Sequence, residues 1–447
     1  MKGVIEKVKT SLLPPLGGGG ALIVFRFAFG IMMFLSLVRF AANGWIDALY
    51  IQPKFFFTFY GFEWIKPLSA TGMYAVFAIM MLASLFVAFG FFYRISIITF
   101  FLLFTYVELI DKTNYLNHYY FISLLSFLMC FLPANLAGFK NLRGLRGFIF
   151  IIQLQMATVY FFAGIAKINS DWLLHAMPLK IWLASKSNLP LIGNLLTEEW
   201  VAYAFSWCGM LFDVSIAFFL FNRKTVWYAY AVVVVFHTLT AILFPGIGMF
   251  PYIMMVCATV FLAPLTPRRG GGEVPQNIWN VINLKTALKT SPIGGGLVGT
   301  FFLIQFALPF RYLLYPENLF WHEQGFRFSW RVMLMEKAGT VFFTVRNADG
   351  KLFEVNNRDF LTMQQEKQMS TQPDMILQFA HHLADVYQSK EVYAEAYVAL
   401  NGRASQLLID PKQNLCEVQD GFANKSWITS PALVSNVQLS MTKQFSN

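Results

Sequence analysis

The chain has 447 residues, of which 57% are hydrophobic and only 13% charged. That excess of apolar side chains excludes a soluble globular protein and marks a polytopic membrane protein. The formal net charge of +10 does not point to nucleic acid, because Lys and Arg cluster in short segments between apolar runs, as in the cytoplasmic loops of membrane proteins.

In chain order, the N-terminal MKGVIEKVKT is basic, but proline and glycine separate it from a long apolar run that reads as a first span rather than a signal peptide. Runs long enough to cross, or nearly cross, a bilayer follow at 21–38, 73–92, 95–110, 119–131, 148–166, 201–221, 226–244, 249–262 and 297–310, about nine in all. Positive residues flank alternate ends of these runs: Lys2, Lys7 and Lys9, then Arg94, then Lys140, Arg143 and Arg146, then Arg223 and Lys224, then Arg268 and Arg269. They predict one cytoplasmic side, and an odd number of spans sends everything after residue 310 to the other.

The tail changes character. GTVFFTVRNADGKLFEV alternates and turns at Asp349 and Gly350, VYAEAYVALNGRASQLLI turns at Asn401 and Gly402, and PDMILQFAHHLADVYQSK between them has a helical period. The expected organisation is a transmembrane helical catalytic domain over 1–313 and a small, mainly-β extracytoplasmic domain over 314–447. GGGG at 17–20 and RRGGG at 268–272 read as flexible junctions, and GGG at 294–296 lacks the strand and helix context of a phosphate loop. Of four cysteines, Cys130, Cys208 and Cys257 fall in or near spans and Cys416 lies in the tail, with no CxxC spacing.

Ionisable groups at membrane depth are costly and therefore functional candidates. Lys167 ends the fifth run, where it either snorkels to headgroups beside Trp172 or, given the small neighbours Ala163 and Gly164, faces another helix. His118 stands at the outer start of the fourth run with Asn117 and Asp111 close by. His237 interrupts YAVVVVFHTLTAILF, about 20 Å from the inner flank at 1.5 Å per residue. The three share the outer half of the membrane. A lysine partly withdrawn from water can serve as a neutral general base toward a lipid-soluble acid such as a quinol. Asp171, one turn beyond Lys167 if the helix continues, could pair with it and oppose that role.

Six ungapped runs, VFRFAFG (24–30), FYRIS (92–96), LIDKTNYLNHYYF (109–121), YFFAGIAKINSDW (160–172), FHTLTAILFPGIGMFPY (236–252) and WHEQGFRFSWRVML (321–334), resemble in order and interval the vitamin K-dependent γ-glutamyl carboxylases. The resemblance implies an integral membrane enzyme that oxygenates vitamin K hydroquinone (menaquinol or phylloquinol) with dioxygen to the 2,3-epoxide, and so generates a base that takes the γ-proton of a peptidyl glutamate. CO₂ then adds to give γ-carboxyglutamate, without a metal. It gives Lys167 the position of the base, Asn117 and His118 that of the polar pair at the quinone oxygens, and His237 that of a histidine in a later span. Trp321, Trp330 and Asp111 become candidates for substrate binding. The partners implied are the lipid bilayer, a glutamate-containing peptide or protein and a quinone-reducing enzyme, with no nucleic acid.

The chain departs from the animal members in its short tail, in Ala166 where they carry a second lysine, and in lacking an evident disulfide between membrane and tail. Those departures suggest a bacterial inner-membrane protein facing the periplasm, rather than one of the endoplasmic reticulum facing the lumen. Other readings stay open: a quinol-oxygenating enzyme with a different acceptor, a haem protein using His118 and His237 as axial ligands, or a transporter in which Lys167 binds an anion.

Overall fold

A computed structural model describes residues 18–132, 142–262, 295–347 and 349–431. The basic flanks at Lys2, Lys7, Lys9, Lys140, Arg268 and Arg269, the RRGGG junction and part of each of the other two glycine runs lie outside them. The chain divides into two compact units. One runs up to Phe310 and takes in Phe328–Leu334; the other comprises Arg311–Arg327 and everything from Met335.

In the first unit the helices are α1 (Gly18–Ala42), α2 (Ala70–Phe89), α3 (Tyr93–Ile110), α4 (Asn117–Met129), α5 (Leu142–Ala166), the short α6 (Ser170–His175) and α7 (Leu179–Ala184), α8 (Glu199–Phe221), α9 (Val226–Leu243), α10 (Phe250–Ala258) and α11 (Gly295–Ala307). Among the described residues, seven helices are long and apolar enough to cross a membrane. The other two expected spans, the fourth and the eighth, form shorter helices. α4 has 13 residues, and Phe250–Leu262 is a short apolar helix. Thirteen residues reach about 20 Å, short of the roughly 30 Å hydrocarbon core. Their hydropathy is that of a span because they are buried among other helices: Phe121, Ile122, Leu125, Met254 and Cys257 all belong to the central apolar cluster.

Small residues set the closest helix approaches. A Cβ at Gly30 of α1 would stand 2.6 Å from the Ala88 backbone nitrogen of α2, so only glycine lets these helices touch there. Arg26, one turn earlier, is buried with its guanidinium 5.5 Å from the Tyr93 ring centre, a cation–π contact that partly offsets burial of the charge.

The second unit contains α12 (Leu319–His322), strands β1 (Lys337–Arg346) and β2 (Leu352–Val355), helices α13 (Met363–Met369) and α14 (Pro373–Tyr387), and strands β3 (Val392–Leu400) and β4 (Gln406–Leu407). The antiparallel sheet has the order β2-β1-β3-β4. Both expected hairpins form, with Gly350 (φ 80°) and the pair Asn401 (φ 50°) and Gly402 (φ 72°) supplying the left-handed backbone that tight turns need. α14 begins with proline at its first turn and packs Phe379 edge-on against Phe343 of β1, ring centres 5.1 Å apart.

Buried Lys337 at the start of β1 donates to Glu323 Oε1 (2.7 Å) and to the carbonyls of Trp321 (2.8 Å) and Thr371 (3.2 Å). Desolvation lowers its pKa, and Glu323 opposes that shift.

Candidate functional site

α5 lies against α8 because Gly164 lacks a side chain: a Cβ there would stand 2.6 Å from the Val214 backbone nitrogen. This is the helix contact that Ala163 and Gly164 suggested. It carries the next residue with chemistry, Lys167, up to Asp213 of α8. Lys167 Nζ donates to Asp213 Oδ2 at 2.7 Å and to the Ala163 carbonyl at 3.3 Å, and it lies 5.4 Å from the centre of the Trp172 ring. The two side chains are 8% and 10% exposed. Trp172 is itself fixed, its Nε1 donating to the Ser206 carbonyl at 2.8 Å. Lys167 is therefore buried and paired within the bundle, which removes the snorkelling alternative.

Gly164→Ala should force α8 away and cost about 1–3 kcal/mol of stability, as overpacking typically does. Gly296→Ala, where nothing lies within 4 Å of the added carbon, should leave thermal unfolding unchanged. Equal behaviour of the two variants would mean that the α5–α8 contact is not close.

The second polar pair comes from α9. His237 is 1% exposed, its Nε2 lies 3.0 Å from the Tyr160 hydroxyl on α5, and its Nδ1 is buried without a hydrogen-bond partner. Both pairs line one cavity of about 300 Å³, together with Trp172, Thr240 and a mostly apolar wall, a size and character typical of small-molecule sites. Its exposed lining residues, Ala204, Cys208 and Leu239, all lie on α8 and α9, so the cavity meets the outer surface of the bundle there.

Part of the wall is supplied from far along the chain. Val332 and Met333 line the cavity, and the segment that carries them, Phe328–Leu334, is a strap seated in the first unit. Asn117 Nδ2 donates to the Arg331 carbonyl at 3.0 Å. The Tyr115 hydroxyl donates to Asn117 Oδ1 (3.1 Å) and accepts from the Phe328 backbone nitrogen (2.8 Å). Trp330, fully buried, stacks on Tyr120 with ring centres 5.0 Å apart. Phe328, Trp330 and Met333 have φ of 63°, 58° and 52°. Three non-glycine residues in the left-handed region within six positions are unfavourable locally and persist because surrounding contacts dictate them.

The structure thus brings Lys167 and His237 to one cavity and leaves other candidates elsewhere. Asn117 and His118 are not among the lining residues. Asn117 holds the strap, and His118 lies 6.0 Å from the Phe250 ring, which in turn is 5.7 Å from that of His237. Asp111 caps the turn Lys112–Asn114, accepting from the Thr113 nitrogen and hydroxyl at 2.9 and 2.7 Å. Trp330 anchors the strap, whereas Trp321 belongs to the second unit and donates to the Thr429 carbonyl at 2.7 Å. Sequence reasoning passed over Asp213 and Tyr160. A carboxylate in the middle of FSWCGMLFDVSIAFFLF is the kind of intramembrane charge that signals function, and that signal is as strong as the one at Lys167.

The HTTM domain model matches residues 18–265. The model of the vitamin K-dependent gamma-carboxylase lumenal domain matches residues 290–433. No solved structure gives a match. With the first of these matches spanning more than half of the sequence and the second taking up its C-terminal part, the chain belongs to the vitamin K-dependent γ-carboxylase family.

Proposed function

We propose that this carboxylase-like membrane protein uses the Lys167 cavity to activate vitamin K hydroquinone and so to carboxylate a peptidyl glutamate. The observation that carries the reading is the pairing, in one apolar cavity, of a buried Lys167–Asp213 couple with an imidazole whose Nδ1 lacks a partner. When bound, the hydroquinone supplies, through oxygenation to its epoxide, a base strong enough to take the glutamate γ-proton and leave a carbanion that captures CO₂.

The residues present fit such a group. Tyr160 on α5 and Lys167, the first residue beyond that helix, line the same cavity. With Tyr160 donating to Nε2, the imidazole proton sits on Nδ1 and serves one oxygen, while Lys167 serves the other. The apolar walls exclude water, which would quench a strong base. Access from the bilayer through the surface at Ala204, Cys208 and Leu239 suits a ring with a long apolar tail.

On this reading, Cys208 in lipid nanodiscs reacts with a maleimide several-fold more slowly when menaquinone-4 is bound, and at the unprotected rate with the tail-less 2,3-dimethyl-1,4-naphthoquinone. Cys130 and Cys257 are buried, and a Cys416→Ser background removes the remaining thiol. Labelling unaffected by bound menaquinone-4 would rule out this route.

The same reading calls for a glutamate-containing peptide or protein, a quinone-reducing enzyme, and a cavity on the side of the membrane away from the basic flanks, the periplasmic side in a bacterial inner membrane. It does not need the two-histidine haem, and the geometry gives that alternative little support, since Tyr160 engages His237 Nε2 and Phe250 neighbours both imidazoles.

The direct test supplies purified protein with reduced vitamin K, dioxygen, labelled bicarbonate and a glutamate-containing peptide. Epoxide and fixed label are expected together. Epoxide alone would point to another acceptor, and no epoxide from folded protein would overturn the reading.

A further inference from the structure

A lysine that removes a proton must be neutral when it does so, yet Lys167 donates to a carboxylate at 2.7 Å, and both side chains are about nine-tenths buried. Were Lys167 neutral beside an ionised Asp213, the cavity would hold an uncompensated buried charge, which is strongly destabilising. As the 2.7 Å donation from Nζ to Oδ2 describes it, the pair is an ammonium beside a carboxylate, and an ammonium has no lone pair with which to act as a base.

On the quinol reading above, we propose that the pair acts as one unit in which Asp213 is the final proton acceptor and Lys167 the relay. As the ligand O–H breaks, its proton passes to Lys167 Nζ, and an ammonium proton passes from Nζ to Asp213 Oδ2. One O–H and one N–H bond break, while one N–H and one O–H bond form. No electrons change owner, and no further reactant is required. Lys167 ends as it began, an ammonium, now beside an anionic ligand oxygen, and Asp213 ends as a neutral acid. A neutral ligand enters a neutral pair, and an anion beside a cation remains, so the buried site never carries net charge.

The geometry suits both roles. Of the three ammonium protons, one is given to Asp213 and one to the Ala163 carbonyl, which leaves one for the ligand. The close α5–α8 contact at Gly164 holds donor and acceptor in register, and rotation about the Cε–Nζ bond turns the nitrogen from one to the other.

The test is infrared difference spectroscopy under argon, where turnover cannot proceed, on the full-length protein in nanodiscs with reduced menaquinone-4. The carbonyl stretch of a protonated carboxyl is expected to appear on binding, to be absent in Asp213→Asn and to return, shifted, in Asp213→Glu. In the aerobic assay, epoxide formation should fall at least 100-fold in Asp213→Asn and recover at least tenfold in Asp213→Glu. A merely structural aspartate would not give the infrared signal. Saturable binding of tritiated menaquinol-4 without that band, or a band that survives in Asp213→Asn, would overturn the acceptor role and leave the quinol reading standing. Absence of binding would remove both.

Discussion

Lys167→Ala should abolish quinol epoxidation to within assay limits, a loss of about 10²- to 10⁴-fold for a general base, and should destabilise the protein by about 3–5 kcal/mol, because it strands Asp213 as a buried unpaired carboxylate. The two effects separate in the double variant. Lys167→Ala with Asp213→Asn removes both charges, so thermal unfolding should return most of the way to wild type while epoxide formation stays lost. A double variant as unstable as the single one would mean that the lysine matters for packing rather than for charge. A single variant with unchanged activity would take Lys167 out of the chemistry.

The second large effect concerns the strap. Trp330 is fully exposed to neither lipid nor water, being buried and stacked on Tyr120, and its truncation to alanine should cost about 3–5 kcal/mol. Because the strap also supplies Val332 and Met333 to the cavity wall, Trp330→Ala should raise KM for the quinol more than it lowers kcat. Trp330→Phe, which keeps a ring on Tyr120, should retain most of the stability. Asn117→Ala removes the bond to the Arg331 carbonyl and should cost about 1–3 kcal/mol, shifting KM in the same direction. If KM is unmoved in both, the strap does not shape the binding site.

What could be read from the sequence was local. Hydropathy located the membrane helices because a span announces itself in one stretch, and alternation with turn residues located both hairpins. Lys167 and His237 were identifiable as intramembrane ionisable groups, and they do line the same cavity. The pairing of Lys167 was not legible. A helix continued past Lys167 would have brought Asp171 within pairing distance, but α5 ends at Ala166 and Asp171 sits in the separate helix α6. The carboxylate that meets Nζ comes from 46 residues further on. The register of β1 with β3, Val341 opposite Ala396 and Phe343 opposite Ala394, was likewise invisible, because alternation says which face a residue takes and not which strand lies beside it. The strap was hidden for a third reason: its left-handed residues are phenylalanine, tryptophan and methionine, so no glycine marked the bends.

The chain crosses between the two units more than once, leaving the first at Phe310, returning as Phe328–Leu334 and leaving again at Met335. During synthesis from the N-terminus, every long helix is complete before the ribosome reaches Val332 and Met333, so the cavity lacks part of its wall until the connecting turns of the C-terminal part have been made. A protein cut after residue 313 would lose only Leu314 of the seventh membrane span, Gly296–Leu314, and still hold an unfinished site. Assembly of the site thus follows chain order: in a nascent or truncated membrane part, the cavity lacks the stretch of wall that Val332 and Met333 supply.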